Sequence, residues 1–116
     1  MIEKIVIDYL SGALRVPVAA EVPPGPPERF CTVQKTGQDE RDGLLAALIA
    51  VRSTAPSKWE TMQLSAAVRA AMALLRAEEI NVFSARCTTE YDVTKTNPPE
   101  YGYKAVFRVV YTIERS

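Results

Sequence analysis

A proline-rich segment constrains the fold of this chain more than any other sequence feature. Residues 23–27 consist of Pro23, Pro24, Gly25, Pro26 and Pro27. Proline fixes φ and lacks a backbone N–H, so this segment can form neither a helix nor a central strand. Short β-type runs flank it at residues 18–22 and 29–35. The sequence therefore predicts two strands joined by a stiff loop, and a stiff loop loses little entropy when it binds a partner.

Length and charge indicate one small globular domain. The 116 residues can bury about two thirds of their unfolded surface without metals or disulfides, and we predict one domain over residues 1–116. The 14 acidic residues balance the 14 basic ones, which argues against a nucleic-acid partner. No apolar run is long enough to span a bilayer, and residues 1–14 carry charges unlike a signal peptide. We therefore expect a chain made in the cytosol, with no membrane partner.

Helical spacing predicts two helices. The first covers residues 1–14, where apolar side chains recur on one face. The second begins after Ser57, which forms a capping-box pattern with Glu60, and we expect it to end near Glu78 and Glu79. Its apolar positions form two sets, and we expect the alanines to let the helix approach the sheet closely. One set is Trp59, Met62, Ala66, Ala70, Ala73 and Ala77, and the other is Leu64, Val68, Met72 and Leu75.

Three further strands are predicted. Residues 44–51, LLAALIAV, are compatible with helix or strand by periodicity. Their shortness favours a buried central strand containing Leu48 and Ile49, and we predict a turn at Thr36-Gly37 before it. Residues 82–91 alternate, with Phe83, Ala85, Cys87, Thr89 and Tyr91 on one face. Residues 101–114 alternate over a longer run, with Tyr101, Tyr103, Ala105, Phe107, Val109, Tyr111 and Ile113 on one face.

Together these elements predict the α+β class. We expect a mixed or antiparallel sheet of about four to five strands, with two helices packed on one face. The last two strands form a long hairpin around the polar loop of residues 94–100.

Signals of catalysis are missing from the sequence. It has no histidine, which removes the commonest general base and metal ligand. No nucleotide-binding or nucleophile motif occurs. Asp39, Glu40 and Asp42 could form a cation site, but a solvated turn beside Gly37 and Gly43 is the better explanation. We therefore expect no enzyme activity, metal or cofactor, and we expect Cys31 and Cys87 to be reduced, buried thiols.

The two proline-containing loops are the candidate binding surface, because loops carried on a rigid sheet often hold binding residues. The alternative, which we favour less, is that they are inert connectors. Tyr101 and Tyr103, beside the second loop, could form an aromatic contact or pack at the sheet rim. The candidate interface residues are Pro23, Pro24, Pro26, Pro27, Glu28, Arg29, Lys95, Asn97, Pro98, Pro99, Tyr101 and Tyr103.

The same N-terminal region resembles a known family. After a helix and a strand, the chain has Glu21-Val22-Pro23, Pro27, Arg29-Phe30, Thr32-Val33 and Thr36-Gly37, together with Val18. This pattern and the order of elements resemble the tail terminator proteins, also called tail completion or minor tail proteins, of long-tailed bacteriophages and prophages. Gln38 departs from the pattern, in which a second glycine is expected. The family order also places a strand at residues 44–51.

The resemblance implies a structural role in virion assembly. Family members form hexameric rings that cap the tail tube, stop its polymerisation and take part in head–tail joining. The implied partners are further copies of the chain, the tail tube protein and the head-completion or connector proteins. The implied location is the virion tail or neck, after assembly in the host bacterial cytoplasm. The alternatives are another neck component, such as a head-closure or adaptor protein, and a small non-phage ligand-binding domain.

Overall fold

The computed structural model describes residues 1–112, and within them the chain forms five strands and three helices. These are α1 (Ile2–Leu14), β1 (Val18–Ala19), β2 (Phe30–Arg41), β3 (Leu44–Thr54), α2 (Lys58–Met72), α3 (Leu75–Glu78), β4 (Val82–Asp92) and β5 (Gly102–Tyr111). The strand order is β1-β2-β3-β5-β4, with β1 parallel to β2 and the other neighbours antiparallel. The predicted α+β class with a mixed sheet is confirmed. Ile113 and Glu114, predicted to continue the last strand, lie outside the described residues.

The core lies between the helices and one face of the sheet. Alternate residues of β3 and β5 are buried there, with Ile49 and Phe107 paired across the two strands. Helix α1 contributes Ile2, Val6 and Leu10, and the helical region after Ser57 contributes Leu64, Val68, Met72 and Leu75. The strand prediction for residues 44–51 is confirmed. Strand pairing on both sides outweighs the helix propensity of the alanines and leucines there.

The prediction that Leu48 is buried is wrong. Ile49 is fully buried, whereas Leu48 on the opposite face of β3 is 39% exposed. Side chains of a strand alternate between faces, and the helices cover one face of this sheet. A continuous apolar run therefore does not mean that all its residues are buried.

The predicted turn at Thr36-Gly37 is also wrong. Strand β2 continues to Arg41, with a bulge between Lys35 and Gly37 that accommodates the extra residue. The turn lies at Asp42-Gly43, where both residues have positive φ, 55° and 82°. Arg41 pairs with Leu44 across this two-residue turn, an arrangement that favours Asp-Gly sequences.

Two other strands differ from their predicted patterns. The strand predicted for residues 18–22 is limited to Val18–Ala19, where it pairs with Cys31 and Thr32 before the proline-rich segment. In β4, register shifts between Val82 and Ser84 and between Cys87 and Thr89 interrupt the alternation. The five β4 residues predicted to share one face therefore do not share it.

The predicted cap of α2 is confirmed. The Ser57 hydroxyl oxygen accepts a hydrogen bond from the Glu60 N–H at 3.2 Å. The same hydroxyl lies 2.9 Å from a Glu60 carboxylate oxygen, to which it donates. Helix α2 ends at Met72, earlier than predicted, and the separate helix α3 occupies Leu75–Glu78.

Replacing Ser57 with alanine tests this cap. We expect Ser57→Ala to lower the free energy of unfolding by about 1 kcal/mol, because the Glu60 N–H loses its acceptor at the helix start. Chemical denaturation followed by circular dichroism measures the change. Ser57→Asp is the matched control, because an aspartate also caps helices, and it should retain most of the stability. Equal losses in both variants would contradict a capping role.

The predicted orientation of α2 was wrong for one of its two apolar sets. Thr61, Leu64, Ser65, Val68 and Met72 face the core. The set that begins at Trp59 faces away from the sheet, and Trp59 is 66% exposed. Both sets have helical spacing, so periodicity could not distinguish them. The larger side chains at Leu64, Val68 and Met72 fill the core.

Candidate docking surface

The sheet register brings both proline-containing loops to one end of the protein. Phe30 at the start of β2 pairs with Thr54 at the end of β3, and Thr54 pairs with Gly102 at the start of β5. The end of β4 lies there too, because Asp92 pairs with Tyr103. Residues 23–29 and 93–101 therefore leave the same end of the sheet, two strand spacings or about 10 Å apart. We call these two segments, with residues 56–60 at the start of α2, the loop end.

The first loop is exposed and anchored at its C-terminal side. Pro24, Pro26, Pro27, Glu28 and Arg29 are exposed, whereas Pro23 is half-buried. Within the loop Gly25 has a φ of 57°, which an L side chain rarely adopts. The Arg29 guanidinium forms an ion pair with the Glu60 carboxylate, which also accepts from the Ser57 hydroxyl. These contacts connect the loop to the N-terminus of α2.

The second loop is an ordered hairpin tip. Lys95 and Glu100 exchange two backbone hydrogen bonds, of 2.9 and 2.8 Å, and enclose four residues. Below them the Val93 N–H donates to the Gly102 carbonyl at 2.8 Å. The Thr94 hydroxyl accepts from the Gly102 N–H at 3.2 Å. These bonds present Thr96, Asn97, Pro98 and Pro99 at the tip.

Ion pairs connect this tip to β3, and the end of β4 to the start of α2. Glu100 accepts from the Arg52 guanidinium at 2.9 Å and lies 3.8 Å from the Lys95 ammonium. Asp92 lies 3.7 Å from the Lys58 ammonium at the start of α2. Hydrogen bonds from Thr94, and then the charge of Lys58, lower the pKa of Asp92. The carboxylate is therefore ionised at neutral pH, and the surface presents paired charges around exposed prolines.

All 12 residues of the predicted interface belong to this end or its border. Lys95, Asn97, Pro98 and Pro99 are exposed at the hairpin tip. Tyr101 and Tyr103 are half-buried, and Tyr103 pairs with Ser53 and Asp92 across the sheet. The tyrosines therefore lie at the base of the tip and are only partly exposed.

Sequence reasoning missed Trp59 as a surface residue. Its side chain is 66% exposed two residues after the Ser57 cap, and it is the sequence neighbour of Glu60, which anchors the proline-rich loop through Arg29. Exposed tryptophans are uncommon and are enriched in interfaces. The sequence did contain a signal for this exposure. Leu64, Val68 and Met72 form a second apolar set on α2 that is enough to cover the sheet, so the set containing Trp59 was not needed for the core.

The second face of the sheet is open and carries basic side chains. Arg86 of β4 lies directly opposite Arg108 of β5, and Arg52 of β3 lies opposite Lys104 of β5. Like charges directly opposite each other destabilise a sheet. Within residues 1–112, neither Arg86 nor Arg108 has an ion-pair partner.

The positions of the thiols and carboxylates bear on the predicted burial of both cysteines and on the possible metal site. In residues 1–112 no three His, Cys, Asp or Glu side chains are close enough to bind a metal ion together. Both cysteines are free thiols. Cys31 is buried as predicted, but Cys87 is exposed, because it lies beside the bulge in the edge strand β4. Burial raises the pKa of the Cys31 thiol to about 11, partly offset by its contact with the Ser53 hydroxyl.

Thiol labelling tests this difference. We expect an alkylating reagent at pH 8 to modify Cys87 in the folded protein and to leave Cys31 unmodified, because Cys31 is buried and almost entirely protonated. Both thiols should react in denaturant. Mass spectrometry after timed labelling measures the result, and Cys87→Ser is the control that should remain unlabelled when folded. Equal labelling rates for the two native thiols would contradict the structure.

No protein-family model matches the chain, and no curated protein matches its sequence. Among the described residues, no helix has the length and apolar character needed to cross a membrane.

Proposed function

We propose that this chain is a tail terminator of a long-tailed phage or prophage. In this role it is a structural protein that forms a ring on the finished tail tube, ends its polymerisation and joins it to the head connector. The sequence resemblance suggests the role, and one structural observation supports it most strongly. Both proline-containing loops lie at the same end of the sheet. There an ion pair of Arg29 with Glu60 holds the first loop to the start of α2, and one of Arg52 with Glu100 holds the second loop to β3.

The loop end suits docking because much of its order exists before any partner binds. The prolines on both sides of Gly25 restrict the first loop, and paired backbone bonds hold the second. Less conformational entropy is then lost on association. Exposed prolines and Trp59 supply apolar contact, and the paired charges around them favour one orientation over others.

Ring formation in this proposal requires a heterologous contact. Each copy presents one surface to the next copy and a different surface to the previous one, and the closed ring leaves no free surface of either kind. One side of the ring docks on the last ring of tube subunits and blocks further addition. The other side receives the head-completion proteins.

Deletion of the gene from the phage genome tests the proposed function. We expect filled heads without tails, and tails of uncontrolled length, in electron micrographs of lysates. Supplying the wild-type chain from a plasmid should restore joined particles. A deletion strain that makes normal infectious particles would contradict the proposal. Particles with normal tail lengths but unjoined heads would indicate the alternative role of a head-closure or adaptor protein.

A further inference from the structure

Both outer edges of the sheet are open over much of their length. Among residues 1–112, β4 pairs only with β5, and β2 pairs with β1 only at Cys31 and Thr32. Within that part of the chain, residues 35–41 of β2 and residues 84–90 of β4 therefore have no strand on their outer sides. An open edge presents backbone N–H and C=O groups that can pair with another strand.

The hydrogen bonds of β2 show which of its backbone groups point outward. The Cys31 N–H donates to the Pro17 carbonyl at 2.9 Å, on the side of β2 away from β3. Alternate residues of a strand bond to the same side, so the backbone groups of Lys35 also point outward. The bulge at the following residue adds one position, and the next outward residues are Gln38 and Glu40.

The same reasoning applies to β4. The Val93 N–H donates to the Gly102 carbonyl at 2.8 Å, which lies toward β5. Glu90 is three residues earlier, so its backbone groups point away from β5. The register shift between Cys87 and Thr89 again adds one position, and the next outward residues toward the start of the strand are Cys87 and Ala85.

The two edges match in direction and in spacing. Because β2 and β4 run in opposite directions, two copies placed side by side in the same orientation bring β4 of one copy antiparallel to β2 of the next. One register pairs outward positions throughout: Lys35 with Glu90, Gln38 with Cys87, and Glu40 with Ala85. The extra residues of the two bulges, Thr36 and Thr88, then fall in the same interval. A bulge normally protects an edge from pairing, but here each strand carries one at the same place.

Charge complementarity selects this register. It places Asp39 of one copy opposite Arg86 of the next, on the open face of the sheet. Neither side chain has an ion-pair partner within residues 1–112, and Arg86 lies opposite Arg108 in its own sheet. The Asp39 carboxylate therefore offsets the repulsion between the two arginines. On the helix-covered face, Lys35 lies opposite Glu90, which also has an ion pair in its own chain.

We propose that copies of this chain bind one another head to tail, with residues 84–90 of β4 pairing antiparallel with residues 35–41 of β2 in the next copy. The contact is heterologous, as the proposed ring requires, but it is inferred from the strand edges and does not rest on the proposed function. Main-chain hydrogen bonds supply affinity, and the side chains set the register. The loop end stays free, because both paired segments lie outside residues 23–29, 56–60 and 93–101.

Charge reversal tests the contact by sedimentation velocity over a concentration series. We expect the wild-type chain to assemble as its concentration rises, and Asp39→Lys and Arg86→Glu each to raise the apparent dissociation constant about 10-fold. The double variant Asp39→Lys/Arg86→Glu should return to the wild-type value, because the lysine of one copy then meets the glutamate of the next. Within one chain these strands are three spacings or about 14 Å apart, so the rescue reports a contact between copies.

Folding of the three variants is checked by circular dichroism, and they should fold because both positions are exposed. A double variant that assembles as weakly as the single variants overturns the proposal. So does a wild-type chain that is monomeric even at about 1 mM.

Disulfide trapping tests the register itself. In a Cys87→Ser background, Asp39→Cys/Arg86→Cys places the new thiols in a non-hydrogen-bonded pair, with Cα atoms about 4.5 Å apart. This distance suits a disulfide, and we expect covalent dimers and longer chains to form about 10-fold faster than from Asp39→Cys/Ser84→Cys. The control thiols lie on the same face but two residues out of register. Equal rates, or faster linkage of the control on non-reducing gels, overturn the proposed pairing.

The native Cys87 thiol reports the contact in the unmodified chain. Its alkylation should be fast in dilute protein and should slow as copies assemble, because residues 84–90 are then covered. A labelling rate that stays constant during assembly overturns the pairing. None of these measurements uses phage particles, so failure of the pairing leaves the proposed function intact, and a gene deletion without effect leaves the pairing intact.

Discussion

Phe107→Ala is expected to lower the free energy of unfolding by about 3–5 kcal/mol. Phe107 is 1% exposed and is the largest of the fully buried side chains among the described residues. It lies in β5, between Ile49 of β3 and Cys87 of β4, on the sheet face that the helices cover. Its removal leaves a cavity that these strands cannot close, because both are held by pairing along their length. Chemical denaturation followed by fluorescence or circular dichroism measures the loss.

Leu48→Ala is the matched control for this prediction. Leu48 neighbours Ile49 in β3 but faces the open side of the sheet and is 39% exposed. Partial exposure leaves less apolar area to lose and no closed cavity to create, so we expect a loss of less than about 1.5 kcal/mol. A loss at Leu48 as large as that at Phe107 would mean that another surface covers the open face in solution.

The sequence correctly predicted the type of each major element. It was a poor guide to which face of several elements is buried. Residues 44–51 were correctly predicted as a strand. The burial of Leu48 could not be inferred, because it depends on which face of the sheet the helices cover. The same difficulty affected α2, where the sets beginning at Trp59 and including Leu64 have equally good helical spacing. Which face of an element is buried depends on the tertiary arrangement and not on that element alone.

Backbone irregularities account for the other errors. The bulge at Lys35 and Gly37 lets β2 continue through a Thr-Gly pair that is typical of turns. The register shift between Cys87 and Thr89 in β4 turned Thr89 and Tyr91 away from the face that holds Ala85 and Cys87. A bulge depends on pairing with a neighbouring strand, so sequence alone gives little sign of it.

The candidate surface was predictable in part because proline excludes regular structure. The positions of both loops follow from their prolines, and the structure adds that they leave one end of the sheet. That proximity depends on strand order, in which β3 lies between β2 and β5. The ion pair of Arg29 with Glu60 and the exposure of Trp59 were not predictable, because both require the position of α2.

A shortened hairpin tip gives the sharpest test of the loop end. Lys95 and Glu100 exchange both backbone hydrogen bonds, so replacing residues 96–99 with Asn-Gly leaves a two-residue turn closed by the same pair. We expect this variant to fold with wild-type stability, because the removed residues are exposed. Asp42→Asn is the matched control, since it alters the turn at the opposite end of the sheet and retains its positive-φ preference.

The shortened tip should weaken docking without weakening the fold. If residues 96–99 include an interface hot spot of about 2 kcal/mol, affinity for tail-tube ends falls about 30-fold. Lysates of phage carrying the variant should then contain overlong tails and unjoined filled heads, whereas Asp42→Asn phage should produce normal particles. Electron microscopy and infectious titre measure both effects. Normal titres from a folded, shortened variant would exclude the hairpin tip as a docking surface. Residues 23–28 would then be the predicted docking surface. A variant with this loop shortened can be compared with the same control, because Arg29, which anchors the loop, is retained.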